Sequence, residues 1–504
     1  MLLPRASGIL LHPTSLPGPY GIGSLGSEAR EFIDLMALTG QRFWQILPLA
    51  PTGYGNCPYM SCSAFAGNPL LVDPEDLVAQ GLIDKDDLAP DELKTTAGWH
   101  HPKINFEEAI AYKTRLLETA CENFAAKSDN DKKLFWAYCE REGWWLDDYA
   151  LFMALKEAND ALAWQAWDQG LALREGSVLK QQSRELRDRV FYHQFSQYLF
   201  SRQWSALKQY ANGRGVSILG DLPIYVAADS ADVWAHPHLF QLDESGNPTV
   251  VAGVPPDYFS ATGQLWGNPI YDWEAMERSG YAWWINRIKR MLDMVDLVRI
   301  DHFRGFESYW EVEAGQTTAI DGRWVKGPGP QLFDAIEKAL GSLPVVAEDL
   351  GVLTDEVETL RDRYGLFGMK VLQFAFDGMA NNIHLPHNHV RSAIVYTGTH
   401  DNDTTVGWYN HSPRWVHEAT ERYLYLNTGW EIHWALVRCA LASVCNLSIV
   451  PMQDLLGLGS EGRMNIPGVA EGNWDWRVGT FEAVEPWMRE RLADLTALYG
   501  RWPG

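Results

Sequence analysis

The sequence predicts an α/β protein: a (β/α)8 barrel of the TIM type, with large, mostly helical insertions between barrel strands and no separate C-terminal β-domain. Three observations carry that expectation. Short β-rich apolar runs recur eight times along the 504 residues. Helical patterns separate many of them. Acidic residues stand at the ends of five runs, which is where a barrel of this kind keeps its working groups.

The runs, in order, are "GILLHPTSL" (8–16), "FWQILPLAP" (43–51), "VSILGDLPIYV" (216–226), "DLVRIDHFRG" (296–305), "PVVAEDLG" (344–351), "GMKVLQFAF" (368–376), "SAIVYTGTHD" (392–401) and "LSIVPMQDLLG" (447–457). Strands alternating with helices imply a parallel sheet, and eight of them imply closure into a barrel. Residues 191–211 illustrate the helical pattern. Phe191, Phe195, Tyr198 and Leu199 share one face before Asn212-Gly213 ends the helix. The whole chain, 1–504, is expected to be a single catalytic barrel. Residues 60–190 read as a helical insertion between the second and third strands, rich in tryptophan (Trp136, Trp144, Trp145, Trp164, Trp167). Residues 227–290, carrying "GVPPDYFSATGQLWGNPIYDW", read as a subdomain and ordered loop lining a substrate cleft.

Composition narrows the function. Hydrophobic residues make up 46% and charged residues 21%, as in ordinary globular enzymes. The net charge of −23, without a long basic run, argues against nucleic acid and anionic membrane surfaces as partners. Six scattered cysteines show no CxxC pair and read as reduced thiols of a cytoplasmic protein. The N-terminus lacks the apolar core and cleavage signature of a signal peptide, and no apolar run reaches the ~18 residues of a membrane helix. The most apolar stretch, "WALVRCALASVCNLSIVPM", is broken by Arg438 and Asn446 and reads as a helix leading into a strand. The 23 Trp, 20 Tyr and 19 Phe suit both core packing and stacking on sugar faces.

The chemistry concentrates in "VRIDHFRGF" (298–306). In a strand, Arg299 and Asp301 point the same way, so the guanidinium would hold the carboxylate ionised. Asp221, Glu348, Asp401 and Asp454 stand at further strand ends, and five carboxylates converging on one mouth exceed what structural ion pairing calls for. They suit either a divalent metal, with "HDND" supplying ligands, or glycosidic bond chemistry. Against metal, Arg299 and Arg304 would repel a cation and no HxxxH spacing appears. Glycoside chemistry needs one ionised and one protonated carboxyl. Asp301 beside Arg299 fits the nucleophile. Glu348, approached through the apolar "PVVA", fits the acid/base, while Asp349 should face the other way.

The segments "RIDHFRGF", "AEDLG" and "YTGTHDNDT" closely resemble the amylomaltases, the 4-α-glucanotransferases of glycoside hydrolase family 77. The resemblance extends over nearly the whole chain, through "SGILLHPTSLPGPYGIGSLG", "PTGYGNCPYMSCSAFAGNP", "GDLPIYVAADSADVWAHPHLF" and "QDLLGLGSEGRMNIPG". It implies Asp301 as nucleophile, Glu348 as acid/base and Asp401 as the group that steadies the oxocarbenium-like transition state. It implies that Arg299 orients Asp301, that Asp221 and His400 hydrogen-bond the sugar, and that Tyr59 and Trp266 line it. Tyr258 and Phe259 would sit on a loop over the cleft, and Asn268 and Asp454 would contact substrate. Asn56-Cys57, where Asp-Ser is common, and Ile466, where Thr is common, depart from the pattern.

The resulting expectation is a retaining transferase that moves α-1,4-glucan segments to the 4-hydroxyl of glucose or another glucan, in starch, glycogen or maltodextrin metabolism. Its donors and acceptors would be α-1,4-glucans, maltooligosaccharides and glucose, with no metal or organic cofactor, in a monomer or weak homodimer. An α-amylase-like hydrolase would use the same three carboxylates with water as acceptor. The amylomaltase-like segments around Tyr59 and Phe259 separate the two. A non-catalytic glucan binder would not need all three.

Overall fold

The computed structural model describes residues 3–88, 103–256, 260–351, 353–426 and 431–502. The strands among them are β1 (Ala6–Leu10), β2 (Phe43–Gln45), β3 (Ser217–Leu222), β4 (Val250–Val254), β5 (Gln264–Pro269), β6 (Leu297–Ile300), β7 (Ser308–Glu313), β8 (Gly322–Lys326), β9 (Val345–Ala347), β10 (Gly368–Val371), β11 (Ala393–Tyr396) and β12 (Leu447–Pro451). Eight of them form a parallel sheet in the order β10-β11-β12-β1-β2-β3-β6-β9. The two ends of that order meet: Val346 bridges Phe367, just before β10, and the Ala347 N–H donates to Phe367 O at 2.8 Å. The sheet is a closed barrel, and each apolar run of the sequence supplies one of its strands.

Every residue of β1, β6, β9, β10, β11 and β12 is buried, because barrel strands are covered by side chains inside and helices outside. That double burial is why they read as unbroken apolar runs. Close strand approach sets one composition: a Cβ on Gly8 would fall 2.0 Å from Phe43 O, so β1 can lie beside β2 only with glycine there.

Between β2 and β3 the chain forms long helices, Phe106–Ala125, Lys133–Ala158 and Arg187–Gly213. The Asn105 side chain caps the first by accepting the Glu108 N–H. They pack through aromatic rings, Phe124 on Phe195 at 4.7 Å and Phe135 on Phe191 at 5.1 Å between centroids. Trp145, Trp164 and Trp167 are buried there, whereas Trp136 and Trp144 are each 47% exposed.

The sequence reading contained no second sheet. β5, β4, β7 and β8 pair antiparallel in that order, on segments that leave the barrel after β3 and after β6. Its strands are short, rich in glycine and tryptophan, and β8 is exposed along much of its length. Half-solvated strands of that kind lack the apolar continuity that marks the barrel strands. Among the described residues, no helix is long and apolar enough to cross a membrane; the stretch around Arg438 is the helix Ile432–Ala442, followed by β12.

Candidate active site

β3 and β6 run side by side with Asp221 opposite Arg299. Matched positions of parallel strands present their side chains to the same face. Arg299 Nη1 donates to Asp221 Oδ1 and Oδ2 at 2.8 and 2.6 Å, and Nη2 stands 2.9 Å from Oδ1 of Asp301, the residue just past β6. One buried guanidinium therefore grips two carboxylates. The expectation that Arg299 holds Asp301 in its ionised form needs correction. Burial pushes the Asp301 carboxyl up, Arg299 opposes it, and the charges of Asp221, Glu348 and Asp401 add to burial. Arg299 is shared, so its pull on Asp301 is diluted.

Glu348 follows the last residue of β9. The chain after Asp301 turns through His302 in the left-handed region, φ 51° and ψ 47°, which aims the His302 N–H at Glu348 Oε2, 2.8 Å away. The Leu350 N–H donates to Glu348 Oε1 at 2.8 Å. Burial raises the Glu348 carboxyl above the usual range, against the pull of Arg299 and these two donors. Asp349 does face away: Arg361 Nη1 stands 2.6 Å from its Oδ2 and the Met369 N–H donates to Oδ1 at 2.7 Å.

Asp401 lies beyond β11 with its side chain 43% exposed. Asn465 Nδ2 donates to its Oδ1 at 2.6 Å, and Arg463 Nη2 to its backbone carbonyl at 2.9 Å. His400 Nε2 is 3.4 Å from Asp401 Oδ2. Tyr59 joins the cluster by donating its hydroxyl to Asp221 Oδ2 at 2.7 Å, and its oxygen lies 2.9 Å from His400 Nε2. The Tyr59 and His400 rings stack, 5.3 Å apart and 12° from parallel. Trp266, on β5, sets its ring edge-to-face with His302 at 4.8 Å. Cys57 borders this group, its thiol pushed up to about 11 by burial, so it is protonated at neutral pH.

Three expected substrate contacts face protein instead, the first being Asp221, whose fully buried carboxylate is held by Arg299 and Tyr59. Asp454 is buried, and its carboxylate accepts the Thr397 hydroxyl at 2.5 Å, the Thr405 N–H at 2.7 Å and the Thr405 hydroxyl at 2.8 Å. It ties the segment after β11 to that after β12, so four carboxylates gather, not five. Asn268 is buried as well and donates to Val226 O at 2.8 Å, fastening β5 to the segment after β3. Tyr258 and Phe259 lie outside the described residues. Ile466 is 44% exposed, its N–H donating to Asn473 Oδ1 at 2.9 Å.

Sequence reasoning assigned no part to the His302 N–H, Arg463 or Asn465. The last two belong to "GRMNIPG", whose resemblance to the family was the available signal. The geometry sets two carboxyls side by side, both raised by burial and one of them in direct contact with a cation, an arrangement suited to glycosidic bond cleavage. Among the described residues, no group of three or more His, Cys, Asp or Glu side chains is arranged to hold a metal ion.

Comparison with known proteins agrees with this chemistry. The glycoside hydrolase family 77 model, described as 4-alpha-glucanotransferase, matches residues 11–481. The 4-alpha-glucanotransferase of Thermus thermophilus is 52% identical over 489 residues, covering 95% of each chain. That of Synechocystis is 51% identical over 505 residues, covering 99% of each. The amylomaltase of Streptococcus agalactiae in complex with acarbose superposes with a TM-score of 0.95 at 40% identity, over 99% of this chain and 100% of that one. With its barrel, its carboxylate cluster and these relatives, the chain belongs to the 4-alpha-glucanotransferases of glycoside hydrolase family 77.

Proposed function

We propose that this chain transfers α-1,4-glucan segments by a retaining, two-step path with a covalent glucanyl-aspartate. Asp301 is the nucleophile, Glu348 the acid and base, and Asp401 the carboxylate that steadies positive charge on the sugar. In the first step an Asp301 oxygen bonds to the anomeric carbon, the C1–O4 bond breaks, and the leaving oxygen takes the Glu348 proton. In the second the acceptor's 4-hydroxyl gives its proton to Glu348 while its oxygen displaces Asp301.

The observation that carries this reading is the 2.9 Å contact from Arg299 to Asp301 beside a Glu348 held by backbone N–H groups. Two interacting carboxyls titrate as one unit. A proton shared between them is disfavoured on the partner of the guanidinium, which leaves Asp301 ionised and Glu348 protonated. His400, Tyr59 and Trp266 line the sugar at the cleavage point, and Asp221, its side chain fully buried, acts on the site through Arg299 and Tyr59. Donors and acceptors are α-1,4-glucans, maltooligosaccharides and glucose.

Transfer defeats hydrolysis only when a bound acceptor is held in attacking geometry, where effective molarities reach roughly 10⁵ M or more. The described residues 260–273, with Trp266, and the Tyr59 region are the candidates for building that acceptor site. Incubation with maltotriose should yield glucose plus maltopentaose and longer chains, with almost no net gain in reducing ends. Steadily rising reducing ends, with only maltose and glucose accumulating, would make the protein a hydrolase.

A further inference from the structure

The hydrogen bonds around Tyr59 determine which nitrogen of His400 carries the proton. Asp221, locked to Arg299 by two contacts, can only accept. The Tyr59 hydroxyl hydrogen therefore points to Asp221 Oδ2, and the Tyr59 oxygen must accept from His400 Nε2 at 2.9 Å. Asp401 Oδ2 lies 3.4 Å from the same nitrogen and adds negative charge beside it. With the Tyr59 oxygen accepting from Nε2, the neutral ring is the Nε2–H tautomer and Nδ1 holds a lone pair that needs a donor.

His400 lines a cavity of about 30 Å³ together with His12, Ser15, Thr399 and Arg463. A water needs roughly 10–15 Å³ of such volume. His12, past the carboxyl end of β1, is 6% exposed, and its Nδ1 is buried with no hydrogen-bond partner among the described residues. A polar atom buried in that way is satisfied by water wherever the site is roomy enough. We propose, building on the active site argued above, that His12 is a positioning residue for His400: water in this cavity accepts from His12 Nδ1–H and donates to His400 Nδ1, holding the ring as a fixed Nε2 donor to Tyr59 at the sugar's edge. Burial lowers both rings, His12 to about 3, so the relay works between neutral imidazoles at neutral pH.

The test is a double-mutant cycle on maltotriose disproportionation. His12→Leu should lower kcat about tenfold with KM little changed, while His12→Asn, which restores a polar atom, should stay within about threefold of the parent. In a His400→Gln background the His12→Leu change should cost less than about twofold, because its target is gone. An equal loss in both backgrounds overturns the proposal. A parental rate in His400→Gln alone overturns the active-site reading itself, and this inference with it, so the two failures are distinguishable. His12→Asn is the folded comparison if His12→Leu does not fold, and nitrogen-15 spectra of the histidine-labelled parent protein, assigned by the signal lost in His400→Gln, test the tautomer on which the proposal rests. An Nε2–H signature is expected, and an Nδ1–H signature overturns the proposal.

Discussion

Arg299 reaches Asp301 at 2.9 Å with one terminal nitrogen after committing the other to Asp221. Because that guanidinium is the direct counter-charge of both carboxylates, replacing it by Met should push Asp301 further up. A nucleophile must be ionised, so the acidic limb of the pH–rate profile should move to higher pH. The variant should also lose about 3–5 kcal/mol of stability, since breaking a buried pair strands Asp221. A parental acidic limb in folded protein would reduce the pair to a structural role.

Glu348→Gln should lower transfer from ordinary glucans by about 10²–10⁴-fold, because the leaving oxygen no longer receives a proton. A glucosyl fluoride leaves with little protonic help, so its first step should retain much more of the parental rate, seen as a burst of fluoride. The His302 and Leu350 N–H groups cannot both be satisfied by an amide, which should cost about 1 kcal/mol of stability. Equal losses on both donors would give Glu348 a different part.

For Asp454 the expected defect is in folding. Asp454→Ala removes the acceptor of three donors, one of them the buried Thr405 N–H, and should destabilise the protein by about 3 kcal/mol in denaturant unfolding. KM for maltotriose should stay near the parental value. A raised KM at unchanged stability would return Asp454 to the substrate.

Chelator treatment followed by dialysis should leave the transfer rate unchanged. The centre of the carboxylate cluster is occupied by the Arg299 guanidinium, and Glu348 already accepts from two N–H groups. Activity lost to chelation and restored by one divalent ion would reverse this expectation.

The barrel was legible in the sequence because burial on both faces leaves a local mark. Runs such as 344–351 and 447–457 are apolar whatever lies around them, and Asp301, Glu348 and Asp401 follow them as polar residues at predictable ends. Residues 250–269 and 308–326 carry no such mark, since strands solvated on one face are specified by the partners they meet. The division of labour among the acids was also invisible. Asp454 and Asp401 both stand beyond strands, yet Thr397 and Thr405 absorb the first, while Asn465 steadies the second from far along the chain. Sequence alone therefore determined the fold class, the family and the chemical types present at the mouth. Tertiary structure decided which carboxylates share Arg299, which N–H groups hold Glu348 and which acid is structural, because those outcomes depend on contacts between residues distant in sequence, and local pattern does not encode their geometry.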